Sequence, residues 1–339
     1  MKLTDAAVAE LAETCRMQKT DLFLRTDEMP RRADLEKYAA VVGRRVLVPL
    51  PGAAIPVENA PCTVLNTPED LKQPLAGNAV FADIRLLSDE GFAAYLHENA
   101  VDEAVIPFYE LADRAEYGSR EAYGNIASLR ASLPYFLQVT GLSPCDRLSD
   151  AVFEALGTED FLQAGTKPAQ RIYGFRAASE RAKLYAAAAE CEKTPLKRTV
   201  VQCATRRQAE ELQAFLYRRG APCGLFHGGR GRAENGAALA AFTGGKCNLL
   251  AATKALLPAY PFFSADKVLF CGLPYSVSHA LRCLSLANSK EILCVYCDKD
   301  VSLPERLSRG YYETLQLEDE AFLARRADML RDLMDTMRE

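Results

Sequence analysis

Several cationic and hydroxyl side chains in the second half of the sequence follow apolar runs or stand in a glycine-rich turn. They are Arg206, Arg207, Arg230, Arg232, Thr253 and Lys254. Guanidinium, ammonium and hydroxyl groups bind phosphate oxygens, so these residues predict contact with a phosphate backbone. The alternative interpretation is that Arg206 and Arg207 decorate a solvated helix start and that Thr253 only caps a strand end.

One pair of cysteines has the spacing of metal ligands. Cys294 and Cys297 are separated by two residues in EILCVYC, but this run predicts a buried strand, in which residues three positions apart point to opposite faces. The three histidines, His97, His227 and His279, provide no second pair. We therefore predict no metal site. The eleven cysteines, many of them inside apolar runs, are predicted to be reduced and mostly buried.

The bulk properties of the chain limit its class. Its 339 residues suit two domains of about 150 residues each. The net charge of −4 gives no overall attraction for a polyanion, so any nucleic-acid contact must come from a local patch. The first residues lack the apolar run of a secretion signal, and no segment reaches the roughly 18 apolar residues of a membrane helix. We expect a cytoplasmic protein without membrane contact.

Apolar runs typical of buried strands alternate with helical stretches along the chain. The runs of the first half include RRVLVPL, CTVLN, AVDEAVIPF and YFLQVTGL, and those of the second include TVVQCA, PCGLFHGG, NLLAAT, KVLFCGLP and EILCVYC. Stretches such as DEGFAAYLHENA and RRQAEELQAFLYRRG separate them. This alternation predicts an α/β fold with two mostly parallel sheets, each covered by helices on both faces.

The passage FLQAGTKPAQRIYGFRAAS divides the two predicted sheets, because it is polar and contains glycine and proline. We place the boundary near residue 166, which gives a first lobe over residues 1–166 and a second over 167–300. Residues 301–339 are predicted to form a helical tail, in which EDEAFLARRADMLRDLMDTMRE is one charged amphipathic helix. Such a helix is expected to pack on the second lobe and not to bind a membrane.

Four short motifs follow one another along the second lobe, namely Gln202-Cys203-Ala204-Thr205-Arg206, Phe226-His227-Gly228-Gly229, Phe242-Thr243-Gly244-Gly245 and Ala251-Ala252-Thr253. In order and spacing they resemble the Tyr-Cys-x-Ser-Arg, His-Ala-Gly, Phe-x-x-Gly and Val-Ala-Thr motifs in lobe 2 of the RecQ family of DNA helicases. The resemblance implies two RecA-like lobes, and it implies that Arg206 and Thr253 lie along a DNA path.

The first lobe is similar to lobe 1 of the same family over a shorter stretch. The strand RRVLVPL precedes a segment that matches the family's phosphate loop, namely Gly52, Ala53, Ala54, Ile55 and Pro56. Asp102 and Glu103 in VDEAV resemble the acidic pair of the family's Asp-Glu-Ala-His box, which holds Mg²⁺ and orients the attacking water in active relatives. We take these carboxylates as vestigial, or equally as an exposed acidic strand end. The aromatic residues Phe108, Tyr109, Tyr117 and Tyr123 follow where the family has a DNA-sensing loop, although core packing is the alternative for Phe108 and Tyr109.

The departures from the family pattern predict that ATP is not hydrolysed. A phosphate loop needs a lysine for the β and γ oxygens and a hydroxyl for Mg²⁺, but these positions hold Ile55 and Pro56. The position of the family's adenine-binding glutamine falls near Ala33. With neither lysine nor hydroxyl, the retained Asp102 and Glu103 cannot position a nucleotide. We therefore predict no bound cofactor.

The second lobe also lacks the arginine fingers of the family. On the alignment that starts from Leu273 and Pro274, the two finger positions hold Leu286 and Ser289, while Arg282 falls on a glutamine position. An arginine finger raises the rate of nucleotide hydrolysis by about 10³–10⁵-fold. Its loss, like the loss of the lysine, therefore predicts that ATP is not hydrolysed. The segment between the degenerate loop and Asp102 is also shorter than in active relatives, which removes part of the region that grips DNA.

Three hypotheses remain from the sequence. The first is a catalytically inactive RecQ-like protein that binds single-stranded or structured DNA without ATP-driven unwinding. The second is a scaffold for a protein partner, in which the helicase fold or the C-terminal helix provides the docking surface. The third is a residual ATPase or helicase with unusual nucleotide contacts. The joint loss of lysine and fingers makes the third the weakest.

Overall fold

The computed structural model describes residues 2–26, 30–50, 62–107, 109, 123–143, 150–165, 171–259, 263–285, 287, 291–301 and 320–337. Contacts divide the chain into two compact units, residues 1–168 with 258–262 and residues 169–257 with 263–339. We refer to them as lobe 1 and lobe 2. The degenerate phosphate loop, Gly52 to Pro56, lies outside the described residues, as do Leu286 and Ser289.

Lobe 1 is built on a seven-stranded sheet in the order β3-β4-β2-β5-β6-β1-β7, with every neighbouring pair parallel. Its described strands are β1 (Asp21–Arg25), β2 (Arg45–Leu50), β3 (Thr63–Leu65), β4 (Ala79–Asp83), β5 (Val101–Pro107), β6 (Gln138–Ser143) and β7 (Phe161–Ala164). Its described helices are α1 (Ala6–Met17), α2 (Arg32–Val42), α3 (Glu90–Glu98), α4 (Ile126–Ser132) and α5 (Asp150–Leu156). Short 3₁₀ turns span Pro68–Lys72 and Ile84–Ser88.

Lobe 2 has a six-stranded sheet in the order β10-β11-β9-β12-β13-β8, again entirely parallel. Its described strands are β8 (Arg171–Arg176), β9 (Thr199–Cys203), β10 (Cys223–Phe226), β11 (Leu249–Thr253), β12 (Lys267–Cys271) and β13 (Glu291–Tyr296). Its described helices are α6 (Glu180–Glu192), α7 (Arg206–Arg218), α8 (Arg232–Thr243), α9 (Leu256–Ala259), α10 (Val277–Ser285), α11 (Asp298–Val301) and α12 (Glu320–Thr336).

The two sheets confirm the predicted α/β fold with parallel strands. Strands β9 and β11 of lobe 2 are mostly apolar and are buried along their whole length, as expected for strands covered on both faces. All described cysteines except Cys247 are buried, and none forms a disulfide. The thiols of Cys191, Cys203, Cys223 and Cys271 contribute to one apolar core of lobe 2, between the sheet and helices α6 and α7.

The passage that separates the lobes in the sequence contains two strands and is not only a polar link. Strand β7 forms one edge of the lobe 1 sheet, and β8 forms one edge of the lobe 2 sheet. Helix α12 packs on lobe 2 as predicted, burying Met329 and Leu333. Met337, just after the helix, lies against Gly174 of β8, where a Cβ would come within 3.1 Å of the methionine sulfur.

Candidate nucleic-acid interface

The carboxyl ends of the lobe 2 strands lie level with one another. Cys203 at the end of β9 pairs with Thr253 of β11 on one side and with Cys271 of β12 on the other, and Phe226 of β10 pairs with Ala252. In parallel α/β sheets, ligands bind at this edge, because the loops that leave the strands converge there. The candidate phosphate-binding residues all follow these strand ends, so the fold brings them to one edge of lobe 2.

Arg206 and Arg207 begin helix α7 and are both exposed. The helix is capped by Thr205, whose hydroxyl accepts a hydrogen bond from the Gln208 amide at 3.1 Å. Arg207 forms an ion pair of 2.8 Å with Glu211 one turn further on. Arg206 instead lies over Gly229, where a Cβ would come within 3.0 Å of its Nη1 atom. A glycine at this position therefore allows the guanidinium of Arg206 to lie on the neighbouring turn.

The turn after β10 is fixed by His227, which is buried. Its Nδ1 atom accepts a hydrogen bond from the Gly229 amide at 3.1 Å, and its Nε2 atom lies 3.1 Å from a carboxylate oxygen of Glu210. The Asn235 side chain bonds both the amide and the carbonyl of His227, at 3.3 and 3.0 Å. The glycine-rich turn is thus held in one conformation beside the start of α7.

The remaining four candidates differ in how accessible their side chains are to a phosphate. Arg230 is held inward, because its Nη1 atom donates to the Leu225 carbonyl at 2.8 Å. Arg232 is exposed at the first position of α8. Thr253 is buried, and the Lys254 ammonium lies 3.8 Å from the centre of the Tyr275 ring, which is a cation–π contact. The edge therefore presents Arg206, Arg207 and Arg232 to solvent and holds the others as its framework.

A buried ion pair that the sequence analysis did not identify lies under this edge. The Lys183 ammonium of α6 donates to both carboxylate oxygens of Asp300, at 2.8 and 2.9 Å. Asp300 also accepts from the Cys297 amide at 2.9 Å and from the Gln208 side chain at 3.3 Å. Burial alone would lower the pKa of Lys183, but its hydrogen bond to Asp300 and the charge of that carboxylate raise the pKa above its ordinary value.

This ion pair connects the elements that form the edge. Gln208 belongs to the first turn of α7, and Cys297 follows β13 directly. Gly272, which follows β12, has a φ of +120°, and a Cβ there would lie 3.6 Å from Asp300. One buried carboxylate thereby fixes the start of the helix that carries Arg206 relative to two strand ends.

Three potential metal ligands lie at this ion pair. Donor atoms of Glu180, Cys297 and Asp300 lie within 4.8 Å of one another. The Lys183 ammonium is 2.8 Å from Asp300 and 3.1 Å from Glu180, so a cation already pairs with both carboxylates. The donor set therefore does not fit a metal ion. Cys294 is buried within β13, while the Cys297 thiol donates to Glu180 at 3.3 Å.

The two acidic residues of lobe 1 are not where the resemblance implies. Glu103 pairs with Val46 near the start of β2, about 13 Å along that strand from Leu50, where the loop would begin. Asp102 and Glu103 therefore lie near the amino end of β5, whereas the acidic box of a motor serves the carboxyl edge. The interpretation of the pair as a vestige of that box is wrong. For Glu103, the alternative of an exposed strand end is also wrong, because its side chain is fully buried.

Glu103 is instead the centre of a polar network in the core of lobe 1. One carboxylate oxygen accepts from the Tyr38 hydroxyl and from the Thr140 hydroxyl, each at 2.6 Å. The other lies 3.2 Å from the Arg44 guanidinium, an ion pair that is not aligned as a hydrogen bond. Burial raises the pKa of Glu103, while Arg44, Thr140 and Tyr38 oppose the shift.

Of the other residues singled out in the sequence, Tyr109, Tyr123 and Arg282 are buried, whereas Ala33 is exposed. Tyr109 and Tyr123 are buried, and the Tyr109 ring meets Phe23 edge to face with centroids 5.1 Å apart. Arg282 is completely buried in α10, and Ala33 lies in the first turn of α2. Phe108 and Tyr117 lie outside the described residues. None of the described helices is long and apolar enough to cross a membrane.

Comparison with known proteins identifies the class of the fold. Residues 179–285, within lobe 2, match the family described as "Helicase conserved C-terminal domain". No curated protein matches the chain by sequence.

Several solved helicase structures share the architecture of both lobes. Mss116p bound to single-stranded RNA and AMP-PNP has a TM-score of 0.60 at 12% identity, over 93% of this chain and 74% of Mss116p. Dbp5 of S. cerevisiae bound to RNA and ADP BeF3 has a TM-score of 0.60 at 11% identity, over 93% of this chain and 89% of Dbp5. The helicase MrfA bound to DNA has a TM-score of 0.59 at 12% identity, over 90% of this chain and 51% of MrfA.

These likenesses confirm the prediction of two RecA-like lobes. The fold is that of these solved helicases, and residues 179–285 match a helicase C-terminal domain. At identities of 11–12% the likeness extends to the fold and no further.

The first prediction concerns Glu103. Its raised pKa means that the folded state holds the proton more tightly than the unfolded state, so the stability it contributes falls as pH rises from about 4.5 through the raised pKa. We expect Glu103→Gln to destabilise lobe 1 by about 1–3 kcal/mol, because an amide N–H then faces Arg44. The difference in unfolding free energy between the parent and the variant, measured with urea at several pH values, should become smaller as pH rises. A difference that widens would show that the pKa is lowered.

The second prediction concerns the buried ion pair of lobe 2. Lys183→Met leaves the Asp300 carboxylate buried without its cation and should cost about 3–5 kcal/mol of the unfolding free energy of lobe 2. The double variant Lys183→Met/Asp300→Leu should recover part of the loss, since no buried charge remains. Hydrogen exchange of the β9 and β13 amides assigns the effect to this lobe. Equal stability of the parent and Lys183→Met would show that the Lys183–Asp300 ion pair does not stabilise lobe 2.

Proposed function

We propose that the chain is a nucleic-acid-binding protein that uses a superfamily 2 helicase fold without an ATP-driven motor. The observation that carries the proposal is the single edge of lobe 2 at which Arg206, Arg207 and Arg232 are exposed above an ordered framework. The finer proposal is that it acts as a RecQ-like accessory protein on single-stranded or structured DNA. The RecQ-like order of its lobe 2 motifs supports this choice.

The electrostatics of the edge support phosphate binding. Among the described residues, neither Arg206 nor Arg232 has a carboxylate within ion-pair distance, so both guanidiniums are available to an anion. The pair of Arg207 with Glu211 is exposed on both sides, and water and salt weaken such pairs, so a phosphate can displace Glu211. Thr253 and Lys254 stand at the neighbouring strand end and belong to the framework beneath the exposed arginines.

The ordered geometry of the edge favours binding without a large entropic cost. Arg206 lies on the His227–Gly229 turn, and the start of its helix is held by Gln208 and Asp300. A guanidinium that is already placed loses less conformational freedom on binding than a mobile one. The solved helicases of this fold are bound to single-stranded RNA and to DNA, which makes a single strand the appropriate first probe.

The proposal that there is no motor is carried by the sequence. A nucleotide site needs a lysine and a hydroxyl in the phosphate loop and an arginine from lobe 2, and these positions hold Ile55, Pro56, Leu286 and Ser289. The position of Asp102 and Glu103 at the amino end of β5 supports the same conclusion, because these two carboxylates lie too far from the carboxyl edge of the sheet to hold Mg²⁺ there. We infer that the chain binds nucleic acid passively.

The third prediction tests the lobe 2 edge. We expect the parent to bind single-stranded DNA weakly and with a strong dependence on salt, since binding comes from ion pairs with phosphates. Removing one such ion pair should lower the slope of log K against log salt by about 0.7, so Arg206→Ala/Arg207→Ala should lower it by roughly 0.7–1.4. Fluorescence anisotropy titrations of a labelled oligonucleotide at several salt concentrations measure both the affinity and the slope.

The matched control is Arg218→Ala/Arg219→Ala, which removes the same number of charges at the other end of the same helix. It should leave the slope unchanged. If both double variants reduce binding equally, only the overall charge matters and the edge is not the site. An absence of binding by the parent at low salt would refute the proposal.

The fourth prediction concerns nucleotide. Isothermal calorimetry with Mg-ATP should give no saturable binding, and phosphate release should equal the buffer blank with and without single-stranded DNA. The physical reason is that isoleucine provides no charge for the β and γ oxygens and that proline removes both a hydroxyl and an amide donor. Micromolar ATP binding would establish the residual ATPase instead.

A further inference from the structure

Four side chains form a continuous stack on the outer surface of helices α6 and α7 in lobe 2. The Arg181 guanidinium lies 5.8 Å from the centre of the Tyr185 ring, which meets the Phe215 ring edge to face at 4.9 Å. The Arg219 guanidinium lies 5.8 Å from the centre of Phe215. Both cation–ring distances fall within the roughly 6 Å limit of cation–π contacts. We call Arg181, Tyr185, Phe215 and Arg219 the arginine–aromatic stack.

The stack is exposed and rests on a rigid base. Tyr185 is 44% exposed, Arg181 and Arg219 are exposed, and Phe215 is half-buried. The opposite faces of the same two helices pack into the core of lobe 2, with Ala187, Ala188, Leu212 and Leu216 fully buried. Arginine and aromatic residues are the types that dominate the binding energy of protein interfaces. A preformed surface of this composition is suited to a protein partner.

The charges around the stack specify the chemistry of the partner. Arg219 forms an ion pair of 2.7 Å with Glu192, and the Arg218 Nε atom donates to the Ala214 carbonyl at 3.2 Å. Within the described part of the chain, Arg181 and Arg218 lie outside ion-pair distance of every carboxylate. Of the three arginines at this surface, only Arg219 is therefore paired with a carboxylate, although the net charge of the chain is −4.

We propose that the arginine–aromatic stack is a docking site for an acidic peptide segment of another protein, in which carboxylates flank an aromatic or leucine side chain. The carboxylates would pair with Arg181 and Arg218, and the apolar side chain would pack against Tyr185 and Phe215. This surface is separate from the edge proposed for nucleic acid. Phe215 lies nine residues along α7 from Arg206, which is about 14 Å on the helix axis.

The geometry favours a peptide over a nucleic-acid strand at this surface. Bases stack on open aromatic faces. Here the two rings meet at 80°, edge to face, and each has an arginine over its face. A base that stacks on the ring face beneath either arginine would have to displace that guanidinium, whereas a carboxylate can bind the Arg181 guanidinium where it is.

The test is a selection of displayed random peptides on the full-length parent, followed by anisotropy measurements on the selected sequences. We expect enrichment of peptides with Asp or Glu on both sides of an aromatic residue or leucine. Arg181→Glu and Tyr185→Ala should each weaken a selected peptide by at least about tenfold, and Tyr185→Phe should retain it. Arg331→Glu reverses a charge on α12 of the same lobe and should have no effect.

The outcomes separate this proposal from the proposed function. Peptide binding that persists in Arg206→Ala/Arg207→Ala, with DNA binding reduced, supports two sites. Selected peptides that are neutral or basic, or that bind Arg181→Glu as tightly as the parent, would overturn the docking site. Loss of single-stranded DNA binding in Arg181→Glu or Tyr185→Ala, without any acidic peptide recovered, would assign the stack to nucleic acid. Because both side chains are exposed, the melting temperatures of these variants should match that of the parent.

Discussion

Parallel pairing in a single register is the constraint from which the arrangement of lobe 2 follows. Strands β9, β11 and β12 end level with one another, so the segments that leave them emerge at one edge. The chain places an arginine pair after β9, a glycine-rich turn after β10 and a threonine–lysine pair at the end of β11. Residues separated by some fifty positions in the sequence thereby share one surface, and a shift of one strand would disperse them.

Each lobe contains a buried carboxylate with a cationic partner, but the two carboxylates have different positions. Glu103 lies near the amino end of the lobe 1 sheet and joins Tyr38, Thr140 and Arg44 inside the core. Asp300 lies at the carboxyl edge of the lobe 2 sheet, beside the helix start that presents Arg206. The chemistry of the two pairs is similar, and their place in the sheet decides whether they organise a core or a surface.

The sequence predicts most of this architecture because the central strands are continuous apolar runs and the helices have clear polar faces. It does not predict β1 and β4, which are five residues long and resemble helical or loop segments when taken alone. The edge strands β7 and β8 expose half or more of their residues, so their composition is that of a linker. Their assignment depends on pairing with distant strands, which no local pattern records.

The candidate site was only partly predictable, for a related reason. Arg206, Thr253 and their neighbours follow strand ends that the apolar runs define, so their common edge follows from the fold class. Asp102 and Glu103 match the residue types of the acidic box but lie at the wrong end of their strand, and only the pairing of β5 with β2 shows this. Lys183 and Asp300 lie more than a hundred positions apart and look like ordinary surface residues in the sequence.

The close approach of Arg206 to Gly229 has a consequence for how this edge can change over evolutionary time. Any side chain at position 229 must share space with the guanidinium, since a single added carbon would lie 3.0 Å from Nη1. A relative with an arginine at position 206 and a larger residue at 229 must therefore move the guanidinium away from the turn by a few tenths of an ångström or more. Glycine at 229 allows the close approach seen here, so the residue types at the two positions together determine how tightly the arginine lies on the turn.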